Sequence, residues 1–110
     1  MSDIQWSDGA PIYRQLKERV IAMMLDGILK PGDALPSVRQ VAADYQLNPI
    51  TVSRAYQELA DEGLVEKRRG LGMFMTEQAA KQLRSSERER FLNEEWPAVL
   101  ERIQRLGLSL

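Results

Sequence analysis

Three clusters between positions 37 and 70 have residue types and spacing that could do chemistry. They are Ser37 with Arg39, then Pro49, Ile50, Thr51, Ser53, Arg54 and Gln57, then Lys67, Arg68 and Arg69 beside Gly70. The middle cluster offers hydroxyl, amide and guanidinium groups that can read base edges, with an isoleucine suited to a thymine methyl. The last cluster concentrates three cations, the means of neutralising phosphates and releasing their counterions. Arg39 stands in the first turn of a helix, where a cation opposes the positive end of the helix dipole and an anionic phosphate would relieve it. The sequence Gly70-Leu71-Gly72 lacks the strand-loop-helix setting and the Lys-Ser/Thr ending of a nucleotide-binding loop, so it reads as a turn.

These clusters need elements to hold them, and the punctuation of the sequence supplies their ends. Pro11 suits a first helical position, and Tyr13, Leu16, Val20, Met23 and Met24 follow helical spacing, with Arg14, Lys17, Glu18 and Arg19 on the other side and Gly27 as the stop. Lys30-Pro31-Gly32-Asp33 is a turn. Ser37 with Gln40 has the pattern of a capping box, and Val38, Val41, Ala42 and Tyr45 form the apolar stripe of a second helix. Asn48 as cap and Pro49 at the first position open a third helix that Gly63 ends. Its buried stripe is Val52, Ala55, Tyr56 and Leu59, which turns Ile50, Arg54, Gln57 and Asp61 the opposite way. Leu64–Lys67 and Met73–Met75 then flank a glycine-rich tip as a β-hairpin. The fold class is mainly α with a small β-hairpin. Two helices joined by a tight turn and followed by a cationic hairpin make a winged helix-turn-helix, a shape that fits the major groove of duplex DNA.

Composition excludes other classes. The chain has neither Cys nor His, which removes thiolate nucleophiles, imidazole bases, disulfides and the usual zinc ligands, so neither a metal nor a cofactor is expected and an enzyme is a distant third reading. The longest apolar run, Val20 to Leu25, is too short to cross a bilayer, and Met1-Ser2-Asp3 lacks the basic start of a secretory signal. A cytoplasmic protein without membrane association is expected. With 15 basic and 16 acidic residues the net charge is −1, so affinity for phosphate has to come from local clustering.

After residue 76 the pattern changes. Thr76 caps a long charged helix through about Glu95 that carries Leu83, Phe91 and Leu92, and a last helix from near Pro97 lines up Trp96, Val99, Leu100, Ile103 and Leu106. Two helices are too few to bury these faces by themselves, which makes the same eight residues the expected dimer interface. The expected organisation is an arm over residues 1–10, a DNA-binding domain over 11–76 and a helical dimerisation segment over 77–110.

Taken together, Pro11-Ile12-Tyr13, Pro31-Gly32-Asp33, Leu35-Pro36-Ser37-Val38-Arg39, Leu47 to Tyr56, Glu58-Leu59, Gly63-Leu64 and Gly70-Leu71-Gly72-Met73-Phe74 resemble the GntR family of bacterial transcription regulators over roughly residues 10 to 76. The short tail is similar to that of the YtrA subfamily. The resemblance implies that Arg39 contacts DNA, that the start of the third helix enters the major groove, and that the wing near Arg69-Gly70 approaches the minor groove or phosphates. It also implies control of an operon, often one for a transporter. Pro49 and Ser53 stand where some relatives place arginines, so those relatives' guanine contacts, and hence their operators, do not transfer.

The expected partners are a two-fold symmetric duplex operator and a second copy of the chain, with room left for a small-molecule effector. Repression is favoured over activation. The rival from another class is a winged-helix protein-interaction module, which would need an apolar or acidic face on the third helix and no cationic hairpin.

Overall fold

The computed structural model describes residues 6–109. Helices α1 (Ile12–Leu25), α2 (Val38–Tyr45) and α3 (Pro49–Asp61) are followed by strands β1 (Val65–Arg68) and β2 (Gly72–Met75), then by α4 (Glu77–Arg90) and α5 (Trp96–Arg105). Described residues through Ala80 form one compact unit and those from Lys81 onward a second. Among the described residues no helix is long and apolar enough to cross a membrane. The first five positions of the expected arm lie outside the described residues.

Each helix start has a local cause. Pro11 sits one position earlier than its type suggests, at the N-cap of α1, with its carbonyl accepting from the Arg14 and Gln15 amides. Ser37 caps α2 by accepting the Gln40 amide at 3.0 Å, but the Gln40 side chain turns to Asp44 instead of closing the box. Asn48 Oδ1 accepts the Ile50 amide at 2.9 Å and Pro49 opens α3. The three residues between α2 and α3 include Gln46 at φ 54°, the one non-glycine residue with positive φ among those described. A side chain tolerates that left-handed conformation poorly, and a β-branched one worst. Gln46→Val should therefore cost about 1–2 kcal/mol in urea unfolding while Gln46→Gly stays within about 0.5 kcal/mol of the parent. Equal stability of the two variants would refute this account of the turn.

Of the apolar stripes that the sequence pattern places in the head, Leu16, Val20, Met24, Val41, Ala42, Val52, Ala55, Tyr56 and Leu59 are buried, whereas Tyr13, Met23, Val38 and Tyr45 are half-buried. Leu29, Leu35, Leu64, Val65, Met75 and Ala79 join the buried set. Lys17, expected on the outer side of α1, instead lies half-buried on the flank facing α3 and bonds Glu58 at 3.3 Å and Glu62. The hydrogen bond that Lys17 donates to the Glu62 carboxylate holds its ammonium pKa above the usual lysine range.

The strands pair antiparallel from Val65 opposite Met75 to Arg68 opposite Gly72. Arg68 C=O accepts the Leu71 amide at 2.9 Å, and Gly70 takes φ 77° at the tip. The segment after the 30–33 turn also joins this sheet, which the sequence pattern does not announce. Leu35 N–H donates to Met73 O, Met75 N–H to Asp33 O, and Gly32 N–H to Met75 O. This edge ties the hairpin to the start of α2.

Thr76 links hairpin to tail: its hydroxyl donates to Gly63 O at 2.8 Å and accepts the Ala79 amide at 3.1 Å. The expected break between two tail helices is absent. A π-helical turn, Phe91–Glu95, joins α4 to α5, and the Trp96 amide reaches back to Phe91 O. Pro97 accounts for this widening, since it has no amide for the carbonyl four residues earlier and its ring crowds that turn.

Candidate nucleic-acid interface

Ser37, Ser53, Gln57 and Lys67 line one groove of about 360 Å³ together with Leu35, Pro36, Val38, Tyr56, Leu71, Gly72 and Met73. Its walls are the start of α2, the outer face of α3 and the hairpin. Its floor includes Tyr56, whose hydroxyl donates to Pro36 O at 2.7 Å. Burial, with a smaller contribution from Tyr45, pushes this phenol up to about 12, so it stays a neutral donor that fixes α3 against the α2 entry.

Around the groove the cations differ in freedom. Arg39, Lys67 and Arg69 are exposed and have no ion-pair partner among the described residues. Arg68, expected to act with them, is held inside the hairpin: its Nη2 lies 3.1 Å from Glu66 Oε1 and its guanidinium 4.3 Å from the Phe74 ring centroid. Strand alternation puts Arg68 and Glu66 on one face and Lys67 on the other. The first turn of α2 carries no acidic residue to offset Arg39, which leaves the dipole end open to an anion.

On α3 the outward face is as the spacing requires, with Pro49, Ser53, Arg54 and Gln57 exposed and Ile50 75% exposed. Thr51, counted with this exposed set from its sequence position, is half-buried, one helical turn before the buried Ala55. Gln57 Nε2 donates to Asp61 at 2.9 Å and Arg54 is drawn toward Tyr13 of α1, so neither side chain is unattached. Gly70 is exposed at the tip, and Leu71 is 70% exposed there. Sequence reasoning passed over Leu71 and Tyr13. The flanking positive-φ glycines point to the first, whereas Tyr13 looks like an ordinary member of a helical apolar stripe.

Leu83, Trp96, Leu100 and Ile103 are half-buried, whereas Phe91, Leu92, Val99 and Leu106 are exposed, and the π turn and α5 contain no buried residue. The rings of Phe91 and Trp96 lie 6.2 Å apart at 35°.

Residues 12–75 match the bacterial regulatory proteins of the gntR family. The chain belongs to the GntR family. Within it, this GntR chain is similar to the HTH-type transcriptional repressor YtrA of Bacillus subtilis, 46% identical over 72% of this chain and 61% of YtrA. It is also similar to the uncharacterized HTH-type regulator YhcF of the same organism, 34% identical over 97% of this chain and 87% of YhcF. Among solved structures, a GntR family transcriptional regulator from Listeria monocytogenes superposes with a TM-score of 0.72 at 28% identity, covering 94% of this chain and 90% of that one. The GntR match spans the groove and the hairpin, and the likeness to YtrA places the chain with the YtrA-like members.

Proposed function

We propose that this GntR chain is a sequence-specific, double-stranded DNA-binding transcription regulator that acts as a dimeric repressor of an operon, with transporter genes as the favoured target. The observation that carries this reading is the convergence of three elements on one groove. There the start of α2, the outer face of α3 and a cationic hairpin present Ser37, Ser53, Gln57 and Lys67 side by side, with Arg39 and Arg69 unpaired on the same elements. The exposed face of α3 supplies base-edge donors and acceptors, and the unpaired cations supply phosphate contacts that set register. The name of the YtrA relative, a transcriptional repressor, supports repression.

Selection of bound sequences from a random duplex pool tests the reading, because a recovered two-fold site shows specificity and half-site spacing together. Against that site, Gln57→Ala should cost about 1–3 kcal/mol and far less on random duplex, whereas Lys67→Ala should weaken both about equally. A pool that yields no enriched sequence would favour the protein-interaction reading instead.

A further inference from the structure

Tyr13 belongs by spacing to the core stripe of α1, yet it is only half-buried and its ring lies under a residue of the reading helix. The Arg54 guanidinium carbon is 3.8 Å from the Tyr13 ring centroid, and Arg54 Nη2 donates to the Tyr13 hydroxyl at 3.2 Å. A second hold comes from Glu58, one turn along α3, whose Oε2 lies 3.9 Å from Arg54 Nε. Glu58 is itself fixed, since its other oxygen accepts from Lys17 at 3.3 Å and Lys17 also bonds Glu62. The guanidinium is thus gripped on one face and along one edge, while the side chain remains 62% exposed.

An arginine is weakly hydrated and stacks readily on an aromatic face, so this contact costs little desolvation. A free arginine loses rotamer freedom when it docks on DNA, but one already held by a ring and a carboxylate has lost that freedom in folding. We infer that Tyr13 is a positioning residue for Arg54, its ring and hydroxyl holding the guanidinium in the orientation in which it meets duplex DNA. The inference rests on the DNA-binding reading. It adds a specificity determinant on α1, outside the helix-turn-helix and the wing.

The test uses the full chain and two duplexes, the site selected from the random pool and a random-sequence duplex of equal length. Tyr13→Leu should weaken the selected site roughly tenfold and the random duplex by less than about twofold. Tyr13→Phe, which keeps the ring but not the hydroxyl, should show a smaller loss, roughly threefold. In an Arg54→Ala background Tyr13→Leu should cost nothing further, because the group it positions is gone. An equal loss in both backgrounds would make Tyr13 a packing residue only, and unchanged or tighter binding by Tyr13→Leu would make the contact a parking place for Arg54. Either result overturns the inference. If Tyr13→Leu does not fold, Tyr13→Phe carries the cycle, with roughly a threefold loss in the parent and none beside Arg54→Ala. Without DNA, the Arg54 Nε–H resonance should carry a ring-current shift that Tyr13→Leu removes and Tyr13→Phe keeps. A parent chain with that shift but no preference between the duplexes would overturn the DNA reading, whereas a parent with the preference but no shift would overturn the role of Tyr13 alone.

Discussion

Raising salt from about 50 to 200 mM should weaken binding of the dimer to its selected duplex roughly a thousandfold, because about six unpaired cations, three per subunit, release counterions on docking. Those cations are Arg39, Lys67 and Arg69, all exposed and unpaired among the described residues. The structure sharpens this beyond a count of basic residues. Replacing Lys67 or Arg69 with Ala should flatten the log–log salt slope by about two, one contact in each subunit. Arg68→Ala should flatten it by less than half as much, since Arg68 already faces Glu66 and Phe74 and must leave them to reach a phosphate. Titrations of fluorescent duplex at four salt concentrations separate these slopes. If Arg68→Ala flattened the slope as much as Arg69→Ala, the hairpin pairing would not persist on DNA.

The head was legible because its signals are local. Asn48-Pro49 and Ser37 mark helix starts through hydrogen bonds spanning two or three residues, and the 3.6-residue stripe of α3 follows from backbone geometry alone. What escaped the pattern depends on partners far apart in sequence. Lys17 looks solvent-facing until α3 places Glu58 and Glu62 beside it, and the 32–35 edge of the sheet has no alternation to reveal it. The state of each cation escaped for a different reason: Lys67, Arg68 and Arg69 are alike in type, and although Glu66 is only two residues from Arg68, it is the pleat that sets the two on one face. The π turn was a matter of degree. Pro97 signals a disturbance, but the sequence pattern does not distinguish a wide turn from a break.

The full chain with Leu100→Glu and Ile103→Glu should be monomeric and should bind a two-half-site duplex about 10²–10⁴-fold more weakly than the parent. No residue of the π turn or α5 is buried within the chain, although Phe91, Leu92 and Val99, with Leu106 at the C-cap of α5, are all large and apolar. A ten-residue amphipathic helix with that face in water is marginal by itself, and pairing with a second copy is the arrangement that also doubles the DNA contact set. Once one head is docked, the tether turns the second docking into an intramolecular step, which is the source of the expected loss when the tether is cut. Truncation provides a companion, and the structure sets where to make it. Ala79 is fully buried and its amide is bonded by Thr76, so the cut belongs after Ala80, because a cut after Thr76 would open the head. Light scattering should give a dimer for the parent and monomers for both variants, while far-UV circular dichroism should show the head still folded. If the double variant stayed dimeric, or if the monomer kept full affinity for the two-half-site duplex, the apolar face of the tail would not be the device that joins the two heads.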